Sequence, residues 1–307
     1  MAKNVILKKR GDRMKKAILT RGIILFVVVT VLAVFCGLCF GFPDGSMTSL
    51  LIRTHVEIEQ EHIFGAFHMI SFFICIVLTV GLVVFEKKIP DPATDGIVFA
   101  FGLIFLVAET YKQLYYFFVI GNGSYNFSVL PLQLCSYALY VCLLIPLLPE
   151  CAFKSSLYSF FALYLTVGGC IVMGYPVLYA DLALNLHTML WHTLMIVLGV
   201  FIMRKRRQGR RFWAELFPST AIFAVTYALA TVINVTVTPY TVNSLGKLNL
   251  FYMSPYIPTH YIVIGDVWRA FGWIPALLTY AALFIFLGAP LMWLVARLVN
   301  IGNNKNK

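Results

Sequence analysis

Charge is what this sequence is short of. Asp, Glu, Lys and Arg make up 12% of its 307 residues, against about a quarter in soluble domains. Acidic residues are the scarcer sign, 13 against 24 Lys and Arg, for a formal charge of +11. Seven cysteines are present, but no Cys-x-x-Cys is joined by histidines at zinc spacing, so neither a metal site nor a disulfide framework is implied. All but Cys151 fall in apolar segments, where a thiol behaves as a small buried apolar group. Low-complexity tracts and fixed-length repeats are missing. Also missing are the ~10-residue alternating segments of a membrane β-barrel.

Apolar length is what the chain has in abundance. Hydrophobic residues make up 60% and aromatic residues 15%. Several runs reach about 18 residues or more, the length that crosses a bilayer as a helix. They predict an all-α, polytopic transmembrane bundle with spans at 22–42, 64–85, 96–119, 129–148, 157–175, 182–203, 212–235 and 271–295. The first run is longer than the ~7–15-residue core of a signal peptide, and Phe40-Gly41-Phe42-Pro43 is a poor cleavage site, so it reads as a retained span. The domain reading is a basic segment at 1–21, one eight-span domain at 22–296 and a basic tail at 297–307.

The positive charge is best understood by its placement. With the amino terminus in the cytoplasm, 20 of the 24 Lys and Arg fall on the cytoplasmic side. Arg53, Lys247 and Arg269 lie outside, and Lys112 lies within a span. This asymmetry predicts both termini in the cytoplasm of a multi-pass cell-membrane protein. The cluster Arg204 to Arg211 reads as a topology determinant touching anionic lipid. The expected partners are membrane lipids rather than nucleic acid, and no cofactor is expected.

Polar groups inside the spans carry the functional signal. Glu109, Lys112, Gln113 and Tyr116 share one face of the third span at spacing i, i+3, i+4, i+7. The fourth span brings Gln133, Cys135 and Ser136, the sixth His187 and His192, the seventh Asn234. Four helices thus carry polar groups to similar depth in the outer half of the membrane. Ionisable groups at such depth are costly and mark functional paths. His187, at the boundary, reads as structural. His187 and His192 are five apart and point to different faces, so they are not a metal pair. Asn122-Gly123-Ser124 and Asn126-Phe127-Ser128 are exterior glycosylation sequons.

Glu109, followed by Leu130-Pro131-Leu132-Gln133-Leu134-Cys135-Ser136, resembles the YwaF-like bacterial integral membrane proteins, whose pattern is Leu-Pro-Leu-His-Leu-Cys-Ser. Leu190-Trp191-His192-Thr193-Leu194-Met195-Ile196, Asn234, and the loop Leu248 to Tyr256 extend the resemblance over roughly residues 60–295. The chain departs at Gln133, where the pattern has His. That family is distantly similar to animal ether-phospholipid acyltransferases of the TMEM type, which implies a lipid-directed acyl transferase with a Cys nucleophile. The resemblance then implies Cys135 as nucleophile, His192 as base and Glu109 as orienting group. Lys112, Gln113, Gln133 and Asn234 are the candidate substrate-binding residues. Two other readings stay open: a transporter for a small solute or ion using Glu109 and Lys112, and a non-catalytic membrane scaffold.

Overall fold

The computed structural model describes residues 46–301 apart from 207, 242 and 260. The first predicted span, the basic segment before it and the end of the tail lie outside those residues. Helix runs from α1 (Ser46–Ile52) through α2 (Ala66–Lys88), α3 (Asp91–Ile120), α4 (Leu134–Leu147), α5 (Ala152–Gly174) and α6 (Leu182–Lys205). It continues with α7 (Phe212–Thr241), α8 (Ile262–Phe271) and α9 (Trp273–Val299). Among the described residues there is no strand beyond one isolated bridge, Glu57 to Asp181. Six of the helices are long and apolar enough to cross a membrane. They are α2, α3, α5, α6, α7 and α9, and their bounds fall within a few residues of the predicted spans.

The predicted span at 129–148 differs. Its helix α4 holds only the residues Leu134–Leu147, about 21 Å at 1.5 Å per residue, against a hydrocarbon core of about 30 Å. Pro131 lacks a backbone N–H and pushes the residue before it out of the helical region. Leu130 to Gln133 are accordingly non-helical.

Two helices form the centre. The apolar window is 78% buried in α5 and 67% in α6, but only 11% in α2. In α5, Phe160 to Leu165 are fully buried, as expected of a helix that is apolar all round. The helix widens over Phe161–Leu165, and the Thr166 hydroxyl donates to the Phe161 carbonyl at 2.9 Å. The backbone of α6 packs against that hydroxyl at Gly199, where a Cβ would stand 1.9 Å from Thr166 Oγ1. Only glycine permits that approach.

The ends of the bundle are tied differently. At the basic end, Arg204 donates to Glu86 at 2.6 and 2.9 Å and to the Val299 carbonyl, joining α2, α6 and α9. Lys205 stands 3.3 Å from Glu86 and donates to the Ile89 carbonyl at 2.6 Å. Lys154 bonds Asp95 and Glu150, and Tyr158 donates to Asp95 at 2.5 Å. Arg204 and Lys205 are therefore buried bridges and not lipid-facing charges, which corrects the reading of that cluster. The physical reason is that each sits opposite an acid on a neighbouring helix, so pairing replaces lost hydration.

At the opposite end, the region predicted as an open loop between the last two spans folds inward. It holds α8, which Gly272 at φ +87° turns sharply into α9. It also holds Leu248, Leu250, Phe251 and Met253, each 1% exposed.

Candidate functional site

The site is built on α3, α4, α6 and the buried turn Leu248 to Ser254. On α3, Lys112 Nζ lies 2.9 Å from Glu109, forming a deep pair of no net charge. Gln113 Nε2 donates to Glu109 Oε1 at 2.7 Å and to the Val129 carbonyl at 2.7 Å. Tyr125 donates to Gln113 Oε1 at 2.9 Å. Gln113 therefore braces α3 against the segment 121–133 that leads to α4. Asn126, in that segment, is 8% exposed and its carbonyl oxygen accepts from the Ser128 N–H and hydroxyl, so the second sequon's asparagine is folded inward.

Gln133 and Asn234 converge on one turn. Gln133 Nε2 donates to the Asn249 carbonyl at 2.9 Å, and its oxygen accepts from Phe251 N–H at 2.7 Å. Asn234 bonds both main-chain groups of Leu250 at 2.8 Å. The turn needs such clamps. Phe251 and Tyr252 stand at φ 53° and 57°, in the left-handed region where a bulky side chain costs about 1–3 kcal/mol and must be held by its surroundings. The sequence reading assigned these amides to substrate; the structure has both engaged with the main chain of the turn. Phe251 then packs on Tyr227 at 5.6 Å and Tyr137 at 6.2 Å.

Cys135 sits in the first turn of α4, partly exposed. A helix start carries partial positive charge and unpaired N–H groups, which favour a nearby anion. Trp191 of α6 donates to the Cys135 carbonyl at 3.2 Å. Its ring is flanked by Phe105 at 4.7 Å and His187 at 5.5 Å.

The two histidines of α6 are the unusual members. His192 Nδ1 bonds the Thr188 carbonyl at 2.7 Å. A carbonyl only accepts, so Nδ1 carries the proton and Nε2 is a bare acceptor. That Nε2 is buried and has no hydrogen-bond partner among the described residues. His187 Nε2 is likewise buried, with no hydrogen-bond partner among the described residues. An unsatisfied buried acceptor costs about 1–3 kcal/mol, and native structures keep few of them. Sequence reading set His187 aside as structural, because its missing partner is visible only in three dimensions.

Among the described residues, no three His, Cys, Asp or Glu side chains stand together as metal ligands. A groove of about 380 Å³ lies between α7 and α9, lined by Phe223, Tyr227, Thr231, Leu277 and Ile285. Gln113, Gln133, Cys135, His187 and His192 do not line it.

A model of the TMEM164 family matches residues 59–295, well over half of the chain. No curated protein and no solved structure shows a significant match.

Proposed function

The chain belongs to the TMEM164 family, and from that premise we propose that it is a multi-pass membrane enzyme moving acyl groups between lipids. The observation that carries this reading is the buried, unpartnered Nε2 of His192 on the helix that Trp191 fastens to the main chain of Cys135. Cys135 Sγ attacks the ester carbonyl of a donor lipid, and its proton passes to His192 Nε2. The ester C–O bond then breaks, and the proton moves from His192 to the departing oxygen. An acyl-thioester remains on Cys135. Lys112 offers N–H donors to the developing negative oxygen, and Glu109 holds Lys112 in place. Gln133 and Asn234 position the turn that walls the site. The 20 of 24 basic residues on one side support a cytoplasmic location for both termini and an outer-half location for the site.

The test uses purified protein in nanodiscs with a diacyl phospholipid. Intact-protein mass should show an acyl adduct on Cys135 that hydroxylamine removes. Protein that stays unmodified while folded rejects the reading.

A second reading, transport, is favoured by the interrupted approach to α4, since non-helical backbone at membrane depth lines solute sites in transporters. Glu109 would then carry the coupled charge, and Glu109→Gln would stop flux while Cys135→Ser left it intact.

A further inference from the structure

We propose that the corner where α7 begins and α9 ends binds the headgroup phosphate of an anionic phospholipid, drawn from the leaflet at the basic end. The acyl-transfer reading plays no part in it. Several cations at this end are taken up by acids: Arg204 and Lys205 by Glu86, Lys154 by Asp95, and Arg206 by Glu150. Arg211 and Arg297 differ. Both are exposed, and neither has a carboxylate within 4.0 Å among the described residues.

The corner that carries them is braced. Gly209 stands at φ +85° with its backbone against α9, where a Cβ would lie 2.3 Å from the Arg297 nitrogen. Asn300 donates to the Gln208 carbonyl at 3.0 Å. The Glu215 carboxylate accepts from the N–H groups of Gly209, Arg210 and Arg211 at 2.7, 3.2 and 3.1 Å. That acid therefore caps the start of α7 and pairs with neither Arg211 nor Arg297. The Arg297 guanidinium lies 5.7 Å over the Trp293 ring, which stands edge-on to Phe212 of α7 at 5.0 Å. Aromatic contact thus holds the Arg297 side chain beside the start of α7.

The surroundings identify what the charge meets. Arg297 is three residues from Leu294 and next to Leu298, both exposed. Two and six residues beyond Arg211, Trp213 and Phe217 are 73% and 75% exposed, on one face of α7. Apolar side chains left bare on two spanning helices face lipid, and Trp is favoured where hydrocarbon gives way to headgroups. A guanidinium at that boundary presents a fork of donors that matches phosphate oxygens. A zwitterionic headgroup brings its own cation to the corner, so net negative charge is the distinguishing chemistry.

Native mass spectrometry of the purified full-length protein, titrated with phosphatidylglycerol or with phosphatidylcholine, reads the site. The wild type should hold phosphatidylglycerol more tightly. Arg211→Gln combined with Arg297→Gln should weaken that binding about 30-fold, about fivefold per arginine, from the attraction of a basic side chain to an anionic lipid surface. Arg53→Gln, at an exposed arginine of the opposite end, should leave it unchanged. A second measurement keeps both cations. Phosphatidylglycerol with brominated chains should quench tryptophan fluorescence more than brominated phosphatidylcholine does, and Trp213→Phe should abolish the difference. Equal affinity of the wild type for the two lipids overturns the proposal. So does a double variant that holds phosphatidylglycerol as the wild type does, a loss that Arg53→Gln reproduces, or a quenching difference that survives Trp213→Phe. Release of the bound lipid by inorganic phosphate at equal concentration overturns a lipid as the occupant.

Discussion

The two ends of the bundle spend their polar groups in opposite ways. At the basic end the acids face bases: the buried Glu86 holds Arg204 and Lys205, and the half-buried Asp95 holds Lys154 and accepts from Tyr158. The half around Cys135 holds a Glu109–Lys112 pair and two histidines whose Nε2 atoms have no hydrogen-bond partner among the described residues. Pairing that is complete fixes helices against each other. Unpartnered buried acceptors occur at both ends, Asn300 Oδ1 at the basic end and His192 Nε2 in the half around Cys135, and only the second stands on the helix that Trp191 fastens to the main chain of a thiol. The depth of a polar residue is therefore a weaker guide than whether its hydrogen bonds are filled.

That contrast can be broken by substitution. The largest effect should come from Cys135→Ser, which should lower acyl transfer on the order of 10³-fold or more while the thermal midpoint holds, because serine has similar size and a far weaker nucleophile. At the basic end the pattern should invert. Glu86→Leu leaves Arg204 and Lys205 buried without their acid and should cost about 3–5 kcal/mol of stability, read as a fall in thermal midpoint in detergent. Transfer per folded molecule should be retained. Gln133→Leu strips two bonds from the strained turn and should cost about 1–3 kcal/mol. Limited proteolysis within 248–254 should rise with it. The smallest effect belongs to Glu150, which is 65% exposed. Burial pushes its carboxyl up, but hydrogen bonds from Lys154 and Arg206 outweigh that and hold it below its ordinary value of 4.5. A folded value below the unfolded one gives stability that is present above pH 4.5 and fades as pH falls below it. Glu150→Gln should flatten that slight acid sensitivity in a melting series.

Six spans were legible from apolar length, because hydropathy is a local property of the sequence. The fourth was oversized, because a run of apolar residues does not say that Pro131 delays the helix to Leu134. The polar constellation was legible as depth but not as bonding. Gln133 and Asn234 looked like free amides, because their partners lie in a turn up to 118 positions away. That turn carries no glycine to announce the positive φ of Phe251 and Tyr252. Arg204 and Lys205 looked like members of a lipid-facing cluster, since only tertiary contact brings Glu86 to them. His187 looked structural for the converse reason: an unpartnered ring nitrogen leaves no mark in sequence.

The central claim is that the half around Cys135 is a nucleophile with its base, and an activity-based thiol probe on the purified protein in nanodiscs tests it most directly. The account predicts labelling at Cys135, read by peptide mass, that falls at least tenfold in His192→Ala and is unchanged in Glu86→Leu measured on the folded fraction. Absence of labelling at Cys135 in the wild type, or labelling indifferent to His192, would contradict it.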